Sequence, residues 1–426
     1  MTEASVELSN WAGNYRYGAS SVHHPQTADE LRTLTSTLPS LRALGTRHTF
    51  TGMGDSEQLV ALDRLAGADE ITIDAARMTA TVGPAVTYAG LADALESHGL
   101  ALANMASLPH ISVIGAVITG THGSGDALGN LATSVRALRL VTSTGDELEV
   151  DQRDPRFPGV VVNLGALGII TRATLAVEPS YQLWQRVYQE LEWDQLAANL
   201  DAITASGRSV SVFHRFGERA REVWVKGDAG APQPDSLFGA RAATAPLNPV
   251  PGADPSFCTE QLGVAGPWCD RLPHFRAGFT PSAGEEIQSE WFVARADAIA
   301  AITAIREQLA ERIRPLLFVS ETRTIAADEL WMSPHYRRDS IGIHFTWRRE
   351  PDAVRELCVE VERVLAPFAP RPHWGKAFEQ GGAKLAGRYE RFADFDALRR
   401  ELDPRGAFVN AWLDRKLLSD GTDPAV

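Results

Sequence analysis

In Leu44-Gly45-Thr46-Arg47-His48-Thr49-Phe50 a glycine turn follows an apolar strand and carries a histidine at its tip. Such a turn can aim several backbone N–H groups at a phosphate, and the histidine beside it can carry a bond to a cofactor or simply sit solvated in the loop. A second region combines Asn104 to Ser112 with Gly115 to Gly125, again rich in small residues that let backbone approach a ligand closely. Two separated loops of this kind point to one long, bent, phosphate-bearing cofactor.

A polar surface is written into two further segments. Ile341-Gly342-Ile343-His344-Phe345-Thr346-Trp347 alternates strictly, so a strand there places His344 and Thr346 on one face, opposite Ile343, Phe345 and Trp347. Glu321 and Arg323 share a face in the same way, after the apolar run Leu316 to Val319. The two pairs together make a polar patch suited to a protein–cofactor interface, and Glu321 with Arg323 also reads as a structural ion pair. Other chemistries lack their signatures. No Gly-Lys-Ser/Thr follows a glycine loop, no Gly-x-Ser-x-Gly elbow occurs, and Gly123 to Gly129 misses the dinucleotide fingerprint by one residue. His-Glu-x-x-His and Cys-x-x-Cys are both missing, so no metal site is expected.

The elements that must hold these residues can be read in outline. Ser21 to Pro25 is a strand, and Thr27-Ala28-Asp29-Glu30 has the capping-box form for a helix through about Ser36. Leu41 to Leu44 and Thr79 to Val82 are strands, Tyr88 to His98 is a helix with Gly99 at its end, and Leu138 to Thr142 turns through Gly145 into Glu147 to Val150. A strand after Gly168 stops at Pro179. Crossovers mixed with hairpins indicate an α+β fold rather than a strictly parallel sheet. Beyond Tyr181 come strands at Ser209 to His214 and Glu222 to Lys226, then the Gly/Pro/Ala-rich stretch Gly227 to Pro267. Phe257, Trp268 and Phe275 in and around that stretch favour an ordered loop over a solvated linker. The tail from Phe392 to Lys416 alternates helix and turn.

With 426 residues the chain has room for two domains or one large one with an insert. A net charge of −13 disfavours nucleic acid and anionic membrane as partners, because both call for a basic surface. The acidic start shows no secretory signal, and no apolar run approaches the ~18 residues of a membrane span. Cys258, Cys269 and Cys358 are too few and scattered for a disulfide framework; Cys258 and Cys269 can pair, but a reduced, cytoplasmic chain is the first expectation.

Trp11-Ala12-Gly13-Asn14, the His48 loop, Asn104 to Ser112, Thr119 to Gly125 and Arg371-Pro372-His373-Trp374-Gly375-Lys376 occur in that order. Together they resemble the alditol and xylitol oxidases, which belong to the vanillyl-alcohol-oxidase-type flavoproteins with a PCMH-type FAD-binding fold. The likeness runs over essentially the whole chain. It implies an FAD-binding domain assembled from both ends, residues 1–179 and 369–426, around a central substrate (cap) domain at 180–368. It also implies FAD bonded covalently through His48. A second covalent link would need a cysteine where Ala106 and Ser107 stand, so a single link is expected. Ala43, Leu44, Gly45, Thr46, Arg47, Thr49, Ser112, Gly115, Thr119, Gly120, Thr121, His122 and Ile170 fall to the cofactor on the same basis. Arg47 departs from the pattern: it pairs with the pyrophosphate or points to solvent, and the sequence does not decide.

For the substrate, the resemblance implies that Ser107, Glu321, Arg323 and Thr346 hold an alditol, with Lys376 beside the flavin. A chain of hydroxyls needs several donors and acceptors, which the two polar pairs supply. The expected reaction takes a terminal CH–OH of a polyol such as xylitol or sorbitol to the aldose, with dioxygen reduced to hydrogen peroxide. Arg323, Lys376 and His344 would polarise the hydroxyl. A monomer is expected. An aldonolactone oxidoreductase with another electron acceptor, or a flavin- or sugar-binding protein without turnover, are the competing readings.

Overall fold

Thr27 opens the first helix, Ala28–Thr37, and its hydroxyl accepts the Glu30 N–H at 3.2 Å while the Glu30 carboxylate accepts from Gln26 N at 2.7 Å. The strand Arg42–Leu44 that follows lies parallel to Gln58–Ala61, which pairs on its other side with Ser21–His23. A five-stranded antiparallel sheet completes the first part of the chain, in the order Ile71–Asp74, Thr79–Val82, Ile169–Ala176, Val135–Val141, Glu147–Asp151. Its hairpin turns through Gly145, whose φ of +83° a side chain would strain. The helix Tyr88–Ser97 ends at Gly99, also at positive φ. The computed structural model describes residues 8–278 and 285–419; the acidic start at 1–7 and the final seven residues lie outside them.

The α+β expectation holds, and the middle of the chain supplies a ten-stranded sheet. Its long strands are Gln182–Glu192, Arg219–Asp228, Ser209–His214, Leu317–Ile325, Ser340–Arg348 and Glu286–Ala294, antiparallel and adjacent in that order. Ile341, Ile343, Phe345 and Trp347 are all fully buried, and Phe345 stacks on Trp347 at 4.8 Å with an interplanar angle of 3°. Burying a side chain the size of Phe345 contributes about 1.5–3 kcal/mol. Trp291, on the same face, reaches the helix Pro351–Leu365 through its indole N–H to Glu362. This apolar face and the helices on it fix the sheet, leaving the alternate residues to the other side.

The C-terminal segment returns to both halves. Arg371–Pro372 adds a short strand beside Trp291 and Phe292. Further on, Leu41 N bonds Ala407 O at 2.8 Å, and the Asn410 amide donates to the carbonyls of Gly52, Met53 and Asp55. Buried Arg42 joins four carbonyls, those of Gly165 and Phe408 through Nη1 and those of Met53 and Leu164 through Nη2.

Two readings needed refinement. The stretch Gly227 to Pro267 is ordered, as its aromatics indicated, with short strands at Ser236–Leu237, Ala240–Ala242 and Gly266–Pro267. The strand read at Glu222 to Lys226 runs from Arg219 to Asp228, because nine residues of Gln182–Glu192 pair along it. Cys258, Cys269 and Cys358 are all free thiols. No helix among the described residues is long and apolar enough to cross a membrane.

Candidate active site

One cavity of about 770 Å³ collects nearly every residue singled out for chemistry. One end is walled by Ala43 to Thr49, Ser112, Gly115, Thr119, Thr121 and Ile170, the other by Ser107, His122, Glu321, Arg323, His344, Thr346 and Lys376. The two loops at the first end are tied together, since the Ser112 N–H donates to Thr46 Oγ at 3.2 Å. Ser112 then opens the short helix Val113–Ile118 without using its side chain as a cap. A Cβ on Gly115 would stand 2.5 Å from Ser112 Oγ, so any side chain there would displace the Ser112 hydroxyl. Gly120 is the exception among the cofactor residues. It is absent from the cavity wall, and its φ of +62° places it in a turn facing Pro334, so its role is to bend the chain.

His48 stacks on Trp11 at 5.2 Å, and neither of its buried ring nitrogens has a hydrogen-bond partner. The Thr46 backbone is near enough to favour the protonated ring weakly, yet burial and neighbouring His110 lower the pKa to about 4. A half-buried, neutral imidazole whose ring nitrogens are shielded and lack a partner in hydrogen-bond geometry fits a residue that is to be bonded to something in the cavity. The glycine-lined loops beside it fit the phosphates of the same group. These residues therefore fit FAD. Arg47 settles differently: it is exposed, at a φ of +61°, and donates to the Ser9 carbonyl at 3.1 Å.

The second end is one face of the large sheet. Phe213, Glu321, His344 and Glu290 stand directly opposite one another on four neighbouring strands, and Thr346 pairs with Gln288 one step along. Glu290 is completely buried and is the hub: Arg323 Nη2 donates to its Oε1 at 2.9 Å, Lys376 Nζ to its Oε2 at 2.7 Å. His122 Nε2 lies 3.2 Å from the same Oε1, close but outside hydrogen-bond geometry. Arg323 also reaches Ser107 Oγ at 3.3 Å, whereas its Nε is 3.5 Å from Glu321 and unsatisfied. The Glu321–Arg323 pair read from the i, i+2 spacing is thus the looser contact, and the stronger partner of Arg323 is Glu290. Glu321 instead accepts from His274 at 2.8 Å and has His344 Nδ1 3.9 Å away. His344 Nε2 meets Gln288 Oε1 at 3.2 Å.

Charge follows from these contacts. Burial opposes ionisation of Glu290, but the Lys376 and Arg323 cations hold it well below the usual carboxylate range. Arg323 and His274 do the same for Glu321. Burial lowers the basicity of Lys376 despite Glu290, and lowers His344, His122 and His373 well below the ordinary imidazole value or in that direction. The histidines are neutral at pH 7. His122, Glu290 and His373 are spaced closely enough to hold a metal ion, but Arg323 and Lys376 already neutralise the carboxylate.

Glu290, His274 and Gln288 were missed in the sequence. A signal for two of them exists: in the first part of Glu286–Ala294 the even positions Glu286, Gln288 and Glu290 alternate with Ile287 and Trp291, although Ser289, Phe292 and Ala294 break the pattern. His274 lies in irregular chain, where no period marks it.

The model of an FAD binding domain matches residues 19–151, and that of D-arabinono-1,4-lactone oxidase matches 283–416. The chain is 44% identical to an alditol oxidase from a Streptomyces species, over 96% of this chain and 98% of that protein. It is 25% identical to an L-gulono-1,4-lactone dehydrogenase from Mycobacterium tuberculosis, with the same coverage of 96% and 98%. In fold it is similar to the cholesterol oxidase of B. sterolicum, with a TM-score of 0.76 at 18% identity, covering 97% of this chain and 96% of that one. The chain belongs to the alditol oxidases, a branch of the vanillyl-alcohol-oxidase-type FAD oxidoreductases.

Proposed function

We propose that the protein oxidises the terminal CH–OH of an alditol to the aldose and passes the electrons to dioxygen, releasing hydrogen peroxide. FAD, bonded through His48, supplies the hydride acceptor. The observation that carries the reading is the single cavity that puts the unpartnered His48 ring and the Ser107, Glu321, Arg323, His344, Thr346 and Lys376 patch in one space. A 44% identical relative named alditol oxidase supports the substrate class.

The side chains divide the work by charge. Glu321 is held anionic and accepts substrate hydroxyls, while Ser107 and Thr346 exchange hydrogen bonds with others along the polyol. The Arg323 guanidinium and the Lys376 ammonium, both anchored on Glu290, polarise the reacting hydroxyl. His344 is neutral and hydrogen-bonded to Gln288, so one ring nitrogen is free to take the hydroxyl proton as hydride leaves carbon. Ser112, Gly115 and the Gly45 to Thr49 backbone hold the cofactor phosphates. Residues 1–179 and 369–426 form the cofactor-binding part, 180–368 the substrate part, and the chain acts as a cytoplasmic monomer.

Anaerobic mixing with xylitol, sorbitol, shorter polyols and an aldonolactone tests this, with flavin bleaching followed optically and peroxide measured on admitting air. The expected result is rapid bleaching by polyols and stoichiometric peroxide. Bleaching by the lactone alone, without peroxide, would point to the activity named for the 25% identical dehydrogenase.

A further inference from the structure

Behind the polar patch, outside the cavity wall, Lys226 is buried on the strand Arg219–Asp228 and is 1% exposed. Its ammonium has three acceptors: the Leu272 carbonyl, the Pro273 carbonyl at 3.2 Å and His274 Nδ1 at 3.1 Å. Burial lowers the pKa of Lys226 to about 7; in the ammonium form its three hydrogens meet these three acceptors and it offers no lone pair, so the Nδ1 of His274 is unprotonated to receive the third. The ring's proton is then on Nε2, which faces Glu321 Oε1 at 2.8 Å and Ser211 Oγ at 3.3 Å. His274 and Glu321 both line the cavity and are each only 4% exposed. The chain of contacts runs in one direction, from lysine to imidazole to carboxylate. Phe213 and Trp224 pack edge-on against the ring at 5.4 Å.

We propose that Lys226 is a positioning residue for substrate binding: it fixes the His274 tautomer that donates to Glu321, and so aims the other carboxylate oxygen of Glu321 at a polyol hydroxyl. The proposal rests on the polyol reading of the site. Without Lys226 only the Glu321 carboxylate holds the ring in that tautomer, and in the other a nitrogen lone pair faces the carboxylate, turning Glu321 away. Lys226 touches no substrate, so its effect falls on affinity rather than on the chemical step. A glutamine in place of His274 keeps an N–H donor toward Glu321 with no tautomer to set.

The flavin-loaded full chain tests this by anaerobic titration and rapid mixing with xylitol. In Lys226→Met the dissociation constant for xylitol is expected to rise about tenfold with the limiting rate of flavin reduction within about threefold of wild type, as loss of one charge-assisted hydrogen bond would give. Placed in His274→Gln, the same lysine substitution should add no more than about a twofold change, because the amide no longer depends on it. An equal loss in both backgrounds, or a dissociation constant unchanged in Lys226→Met, overturns the proposal. Should Lys226→Met fail to fold, 15N spectra of imidazole-labelled wild type decide, with the His274 resonances identified by their absence in His274→Gln. A ring protonated at Nε2 alone supports the proposal, and one protonated at Nδ1 overturns it. A wild type whose flavin no polyol reduces overturns the substrate reading instead, and the spectra still report on the lysine–histidine contact.

Discussion

Arg323 reaches Glu290 over the width of an intervening strand, at 2.9 Å, and the residue it passes is Gly342. Arg323, Gly342 and Phe292 stand opposite one another on three adjacent strands, while Glu290 is two pairs along. Any side chain at Gly342 would occupy the path: a Cβ there would lie 2.9 Å from Glu290 Oε1 and 3.0 Å from the Phe292 ring. The glycine is what allows a carboxylate and a guanidinium two strands apart to form one buried pair.

Gly342→Val should therefore separate the pair without removing either charge. Parting a buried, hydrogen-bonded ion pair costs roughly 3–5 kcal/mol. The thermal midpoint is expected to fall, and flavin reduction by xylitol to slow about tenfold or more, equivalent to ~1.4 kcal/mol of barrier. Melting curves with rapid-mixing kinetics check both. Unchanged reduction in a destabilised variant would show that the pair matters for folding alone.

Arg323→Ala removes the cation instead, leaving Glu290 with Lys376 and Glu321 with His274. Loss of activity should fall on flavin reduction by the polyol, with reoxidation by oxygen much less affected. Melting in parallel separates instability from lost catalysis. Reduction at the wild-type rate would place this guanidinium outside the reacting site.

His48 gives a prediction in pH. Its folded-state pKa is lowered to about 4, so the ring is neutral well below the usual imidazole range. A depressed histidine contributes stability above its unfolded pKa of about 6.5, and that contribution is lost as pH falls through the folded value. For the apo chain given FAD, covalent incorporation needs the neutral ring, and its rate should hold from about pH 8 to about pH 5 and fail only near the folded value of about 4. Acid-precipitated wild type should keep its yellow colour, and His48→Ala should release it. An incorporation rate that halves near pH 6.5, the free imidazole value, would mean the ring is solvated before attachment.

The sequence disclosed the strands with regular alternation and the loops with glycine, and these include most of the cavity wall. His344 and Thr346 were legible because Ile341, Ile343, Phe345 and Trp347 mark the opposite face without a break. The partners of Arg323 were not, because nearest-neighbour spacing favours Glu321, while Glu290 comes from a strand two places away whose approach depends on Gly342. Arg42 illustrates the same limit: its four carbonyl partners come from three distant segments, and nothing local distinguishes it from a surface arginine. Pairing between remote segments is set by tertiary packing, which a periodic pattern does not encode.

Reoxidation by oxygen depends on access and on charge, and two residues supply them. Ala106 lines the cavity and is 5% exposed, small enough to leave a path beside the cofactor loop. Lys376 is fixed in the same cavity by its 2.7 Å bond to Glu290, so its charge is already in place when negative charge develops on oxygen. A preorganised cation in a site closed to water is worth far more than one in solvent, because nothing has to reorient during the reaction. Ala106→Leu narrows the path and should slow reoxidation about tenfold by reducing access, with reduction by xylitol nearly unchanged. Lys376→Met removes the charge and should slow reoxidation by at least about tenfold, while also loosening Glu290. Mixing the reduced enzyme with oxygen at several concentrations gives the bimolecular constant of each variant and checks both expectations. Wild-type reoxidation that takes minutes, with fast turnover once a quinone or dye is supplied, would make the protein a dehydrogenase and remove the role given to both residues.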